Sequence, residues 1–380
     1  MSNCWLDINT AVLRDNIQAL QTAVSPATQI IFVVKSDAYG HGLVPMARVA
    51  WQAGVRWFGV AHIHEALALR AALPQADILI MGVIPADTAA TAAQERFTPM
   101  VVNVAHGRAL SAAARAEGHH LSAHLKIDTG MGRLGVGWEE AVETFRDLAD
   151  EPGLAITGLA SHFSTVEPEQ PDTAMRQVDR FRQVCRTIES LHGKPLMKHI
   201  SSSRAISFYA DWDFDAIRPG ICLYGYGATD PAMRFRTAPF LEWKCRVMQV
   251  KAVPAGYPVG YYGTHVTPAP TRMAILSAGY ADGYHRALSN RGHVLIRGRR
   301  CRVIGRVSMN WISVDVGLDE PAEPGDEAVL IGRQGHAEIW AGELAKLCRT
   351  IPYEILVGIK QSAEPRYHDH PAPTTPSTAA

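Results

Sequence analysis

Short apolar runs recur along the first part of the chain, each followed by an Ala-rich stretch with helical spacing. They fall at residues 30–34, 57–60, 77–81, 98–102, 122–127, 154–160, 196–200 and 216–218. A short apolar, β-branched run bounded by turn signals predicts a strand buried on both faces. Eight such strands alternating with helices predict an α/β fold, a parallel TIM-like (β/α)8 barrel over residues 9–237. The active site of such a barrel belongs at the C-terminal ends of its strands.

After Gly225 the texture changes. Runs bounded by Gly and Pro, at 244–253, 272–277, 293–296, 302–306, 313–316 and 327–331, predict a mostly antiparallel β domain over 238–367. One helix is expected near 342–348. The tail 368–380 is rich in Pro, Thr, Ser and Ala and reads as disordered. No internal repeat is evident beyond the barrel unit.

With 47% hydrophobic and 19% charged residues among 380, the chain can bury a sizeable core. The 37 basic and 37 acidic residues cancel, which removes the electrostatic case for a nucleic-acid partner. The six cysteines are scattered without a C-x-x-C pair and read as reduced thiols. Asp7, Arg14 and Asp15 interrupt the first apolar positions, so no secretory signal is expected. No apolar run approaches the roughly 20 residues of a membrane span. The expected location is cytoplasmic, with no membrane partner.

The first candidate chemistry lies in V-V-K-S-D-A-Y-G-H-G, where Lys35 ends a buried strand before a Gly-punctuated turn. Burial lowers the pKa of an amine, because a desolvated ammonium is costly. Such a lysine can be a nucleophile toward an aldehyde cofactor, and pyridoxal phosphate is the candidate. Alone, the pattern more often marks a surface lysine just past a strand end.

Six further segments follow in order: L-K-I-D-T-G-M-G-R-L-G from Leu125, S-H-F from Ser161, R-P-G-I-C-L-Y-G from Arg218, V-G-Y-Y-G-T from Val259, G-Y-A-D-G-Y-H-R from Gly279 and P-Y-E-I-L from Pro352. Together with the lysine loop they closely resemble the motifs of alanine racemases, fold-type III pyridoxal-phosphate enzymes, over nearly the whole chain. The resemblance implies a racemase interconverting L- and D-alanine by a two-base mechanism and supplying D-alanine for cell-wall peptidoglycan. It also implies that an N-terminal strand at 3–8 joins the second domain.

Residue by residue, the resemblance makes Lys35 the cofactor lysine and one base, and Tyr261 the base on the opposite face. In the family this tyrosine reaches the other subunit's lysine, which implies a homodimer with shared active sites. A free tyrosine titrates at about pH 10, so it needs nearby positive charge or donors. Arg218 matches the arginine facing the pyridine nitrogen, and His162 the histidine beside it. Tyr39, Ser203, the backbone N–H groups of Gly220 and Ile221, and Tyr353 match the phosphate cradle. Arg133 matches the arginine contacting cofactor phenolate and substrate carboxylate, and the Met309 N–H should reach that carboxylate too. Lys126 matches a lysine that many members carry as a carbamate; the alternative is an unmodified buried lysine.

The chain departs from the family pattern at three places. Tyr262 stands where a small residue is usual, and Ser202 replaces an amide side chain. Ser308-Met309-Asn310-Trp311 replaces a common Cys-Met-Asp-Gln. Asn310 removes a negative charge and adds amide donors, so serine becomes an additional candidate substrate and Ser308 a second candidate determinant. The competing possibility is drift with alanine still preferred.

Other readings compete. Gly130-x-Gly132-x-x-Gly135 is a literal dinucleotide fingerprint, but two residues separate it from its strand and Arg133 sits in the turn. His62, His64 and Glu65 could suggest a metal, yet they lack a second ligand pair and read as solvated loop side chains, so no metal is expected. Single-domain pyridoxal-phosphate carriers share the barrel but lack the second domain and its tyrosine. Decarboxylases of the same fold carry a cysteine and aspartate that nothing here matches.

Overall fold

The computed structural model describes residues 3–227, 232–319, 321–360 and 362–370. The chain divides into two compact units, residues 13–38 with 43–237, and residues 1–12 with 39–42 and 238–380.

The first unit is the parallel barrel. Its strands run in the order Ala216–Ile217, Gln29–Val33, Trp57–Val60, Asp77–Ile80, Phe97–Val101, Leu121–Asp128, Leu154–Ala160, Met197–His199. The two ends meet where Asp215 N–H donates to Lys198 O at 3.1 Å and Arg218 N–H donates to Ser201 O at 3.0 Å. Ile31, Leu79, Met100, Ala160 and Ala216 pack in one buried cluster. These residues come from five strands around the ring, so the cluster fills the interior rather than lining a pore. Outside, the helix Asp172–His192 buries Ala174, Gln177, Val178, Phe181, Cys185 and Ile188, a stripe at helical spacing. It stops at Gly193, whose φ of 67° supplies the left-handed cap.

The second unit is a nine-stranded sheet in which Leu241–Val253 is central: it pairs antiparallel with Cys4–Asn9, Thr271–Leu276 and Glu327–Gln334. Among the described residues, this sheet's one parallel pairing joins Cys4–Asn9 to Glu364–His368. The sequence-based fold class, a TIM-like barrel with a mostly antiparallel β domain, is the fold observed.

Three local expectations are corrected. The strand expected at 302–306 is Arg299–Val303, paired with His293–Ile296. Arg297 and Gly298, at φ 51° and 80°, form the two-residue hairpin turn that sets this register. A second helix, Pro352–Gly358, follows Ala341–Cys348 and begins on Pro352, where a missing N–H is harmless. The expected disordered tail starts too early, because His368 pairs with Asn9; residues 371–380 lie outside the described residues. Among the described residues no helix is long and apolar enough to cross a membrane.

Candidate active site

Lys35 lies two residues beyond the end of the strand Gln29–Val33 and opens a helical turn, Lys35–Gly40, that is left-handed. Ser36, Asp37, Ala38 and Tyr39 have φ of 54°, 54°, 51° and 54°, and Ala38 N–H closes the turn on Val34 O at 2.9 Å. A left-handed L-residue costs about 1–2 kcal/mol, so consecutive ones persist only when the surroundings over-determine them. Two carboxylates do so. Glu65 accepts from Ser36 N–H at 2.6 Å, Ala61 N–H at 2.8 Å and His62 N–H at 3.1 Å. Asp37 accepts from Leu43 N–H at 2.7 Å. Glu65 is 6% exposed, so its expectation as a solvated loop side chain was wrong. Three backbone donors satisfy the carboxylate and make its burial tolerable.

Burial, more than charged neighbours, sets the protonation of Lys35. Burial pushes the Lys35 amine below its ordinary value; the nearby Arg133 guanidinium adds to this and Glu65 opposes it. Lys126, on the strand Leu121–Asp128, is lowered strongly by burial, then by Arg218 and Arg133. His162, two residues beyond Leu154–Ala160, is pushed down to about 2 by burial and then Arg218.

Arg218 follows the last barrel strand and is buried at 5% exposure. Its guanidinium donates to Ser161 O at 2.6 Å, Ile200 O at 3.0 Å and His162 Nδ1 at 3.3 Å, and also to His199 Nδ1. An arginine only donates, so His199 must accept at Nδ1 and carry its proton on Nε2. That Nε2–H donates to His124 Nδ1 at 2.8 Å. A side chain on Gly158 would lie 2.6 Å from the His124 ring, so glycine there makes room for the imidazole.

Arg133 is exposed on a loop wrapped around one carboxylate. Asp128 accepts from the N–H groups of Gly130 at 2.9 Å, Met131 at 2.8 Å, Gly132 at 2.9 Å and Arg133 at 3.2 Å. The G-x-G-x-x-G loop thus spends its donors on its own aspartate instead of presenting them to a diphosphate. Behind it, buried Gln177 donates to His162 O at 3.3 Å and Arg180 donates to Thr129 O at 2.9 Å.

A hydroxyl and two backbone N–H groups meet beyond Met197–His199. Ser203 is buried at 8% exposure, and its Oγ accepts from Gly220 N–H at 3.0 Å and Cys222 N–H at 3.3 Å, with Ile221 between them. The barrel unit therefore collects Lys35, Lys126, Arg133, His162, Ser203, Arg218, Gly220 and Ile221 at or just after strand C-termini. The remaining candidates belong to the second unit. There Tyr39 and Tyr353 meet edge to face at 5.7 Å. Tyr261 and Tyr262 are 65% and 87% exposed in a turn joining Pro258–Val259 to His265–Val266. Tyr262, at φ 63°, lies under the Arg306 guanidinium at 5.6 Å. Ser308-Met309-Asn310-Trp311 forms a turn closed by Ser308 N–H to Trp311 O at 3.0 Å, with Met309 55% exposed.

These groups fit pyridoxal phosphate: an amine shifted toward its neutral, nucleophilic form, a donor-only guanidinium for the ring nitrogen, and a hydroxyl with backbone N–H groups for the phosphate. Sequence reasoning missed Glu65, Asp128, His124 and His199. Inward alternation on the strand Leu121–Asp128 was a usable signal for His124, since a polar residue facing a barrel interior needs a partner. Glu65 at the third position of its helix was a usable capping-box signal.

Two family models match the chain, alanine racemase N-terminal domain over residues 8–228 and alanine racemase C-terminal domain over residues 240–367. Alanine racemase of Syntrophobacter fumaroxidans is 38% identical over 374 residues, 97% of this chain and 98% of that one. Among solved structures, alanine racemase from Streptomyces coelicolor is 36% identical with a TM-score of 0.90, covering 97% of this chain and 98% of that one. The structure of alanine racemase from Bartonella henselae with covalently bound pyridoxal phosphate is 28% identical with a TM-score of 0.87, over 97% of this chain and 100% of that one.

Proposed function

The chain belongs to the alanine racemase family, and on that premise we propose that it interconverts L- and D-alanine with Lys35 and Tyr261 as bases on opposite faces of the substrate. The observation that carries the reading is Arg218: a buried cation whose partners are imidazoles and carbonyls, among them His162, whose pKa is lowered by burial and then by both Arg218 and Lys35.

When bound, pyridoxal phosphate supplies the conjugated ring that delocalises the charge left on removing the α-proton. Arg218, as a group that only donates, would hold the ring nitrogen without giving it a proton, and would make the ring a weaker electron sink than a carboxylate partner would, favouring quick return of a proton over transamination. Lys35 Nζ holds or takes the α-proton on one face. Tyr261 Oη does so on the other, supplied by the second subunit of a homodimer as the family pattern implies. Arg133 and the Met309 N–H orient the carboxylate; Tyr39, Tyr353, Ser203, Gly220 and Ile221 hold the phosphate; His162 flanks the ring beside Arg218.

Lys126 fits the carbamate reading for a physical reason. Carbon dioxide adds to a neutral amine, losing one proton, and burial, then Arg218 and Arg133, shifts this amine toward its neutral form. The product anion would pair with Arg133. The biological reading is supply of D-alanine for peptidoglycan. Serine is the second substrate to consider, because Asn310 is an exposed amide beside Met309.

The test is selective removal of phenols. Tyr261→Phe should lower racemisation by orders of magnitude with cofactor still bound, since a base rather than an anchor is lost. A larger effect from Tyr262→Phe would transfer the role. Mixed Lys35→Ala and Tyr261→Phe protomers should regain activity by forming one intact shared site; no recovery would contradict the shared-site dimer.

A further inference from the structure

We propose that Glu65 is a positioning residue for Lys35, holding in place the left-handed turn through which the amine is presented. The inference rests on the reading of Lys35 as the cofactor lysine. Glu65 lies on the helix Ile63–Ala72, where it caps the first turn through Ala61 and His62. A cap needs only one carboxylate oxygen, Oε2. The other, Oε1, reaches out of the helix to Ser36 N–H at 2.6 Å.

That bond falls on the first of four successive non-glycine residues with φ between 51° and 54°. Nothing in the local sequence favours this conformation: Ser36, Asp37, Ala38 and Tyr39 each carry a Cβ that opposes it. Lys35 immediately precedes the strained run, so relaxation of the turn displaces the Lys35 backbone and its amine. Glu65 also opposes the charge of Arg133 on that amine, which a carboxylate serving only as a cap would do by accident. The acceptor must be anionic, because an amide at this position would turn its NH2 toward one set of N–H donors.

The experiment compares wild type, Glu65→Asp and Glu65→Gln as full-length, cofactor-loaded enzymes. Aspartate keeps the charge and suits a first helical turn, so the variant should fold with nearly wild-type melting temperature. One methylene shorter, it cannot serve the cap and Ser36 together. We expect kcat for alanine to fall on the order of 10–100-fold with KM nearly unchanged. Amide exchange should accelerate in the peptide spanning Ser36–Gly40 and not in the remaining barrel. Glu65→Gln should show the same split. Wild-type kcat and exchange in Glu65→Asp would overturn the inference, whether or not Glu65→Gln folds. Borohydride reduction and peptide mapping of wild type separates the two readings. A label on Lys35 with fully active Glu65→Asp overturns only the role of Glu65, whereas a label on another lysine overturns both.

Discussion

His199 donates from Nε2 to Nδ1 of His124 at 2.8 Å, while its own Nδ1 accepts from Arg218. The two rings thereby extend the buried guanidinium into a chain of neutral imidazoles. Neutrality is enforced: burial first and Arg218 second hold His124 down to about 3 and His162 down to about 2, and His199 lies well below its ordinary range. A fixed positive charge is thus kept where a proton-accepting ring nitrogen is expected, with no carboxylate among the described residues bonded to it.

The same histidines predict acid lability. In the unfolded chain each ring takes up a proton as pH falls through about 6.5, whereas the folded rings resist until their lowered values are reached. Their contribution to stability is present above that pH and is lost below it, by up to about 1.4 kcal/mol per pH unit per ring. Urea unfolding at pH 7 and pH 5 should show the decline, and His199→Gln should reduce its slope by about one ring's share. Equal slopes in the two proteins would contradict the assignment of a neutral His199.

Asp128 should control Arg133 without touching substrate. Asp128→Ala removes the shared acceptor of four loop N–H groups; because these are largely exposed, water replaces the carboxylate and the loop loses its fixed shape rather than much stability. The expected outcome is a raised KM for alanine with the covalent cofactor retained, read by steady-state kinetics and visible absorbance. Loss of cofactor with unchanged KM would place the role of Asp128 elsewhere.

Much of this architecture was legible from apolar runs, because strands buried on both faces leave little room for polar residues. The site candidates beyond Lys35 came from the resemblance of the motifs to a known family, and the apolar pattern added only that several of them fall at strand ends. What escaped was information carried by distant partners. Nothing near Ser36 announces a left-handed turn, since its brace, Glu65, lies on the next barrel helix. Glu65 itself looked solvated because its capping position accounts for the Ala61 and His62 donors but gives no sign of the third, Ser36 N–H, which is distant in sequence. The strand expected at 302–306 was displaced because the Arg-rich segment around Gly298 offers no apolar alternation, and only the turn conformation fixes its pairing. His199 and His124 gained meaning only once Leu121–Asp128 and Met197–His199 both entered one barrel.

Substrate choice is tested at Asn310. An amide can donate to or accept from a hydroxyl, whereas a carboxylate only accepts. Sites that pair a hydroxyl discriminate for it far better than sites that merely tolerate it. Asn310→Asp should therefore lower the serine-to-alanine ratio of kcat/KM. An unchanged ratio would make the departure at Asn310 neutral.

The most direct measurement follows D-alanine formation from L-alanine alongside visible absorbance in wild type and Lys35→Ala. Wild type should racemise alanine and show absorbance from cofactor attached at Lys35, and Lys35→Ala should lose both. Absence of racemisation by the loaded wild type, or covalent cofactor and activity persisting in Lys35→Ala, would contradict the account.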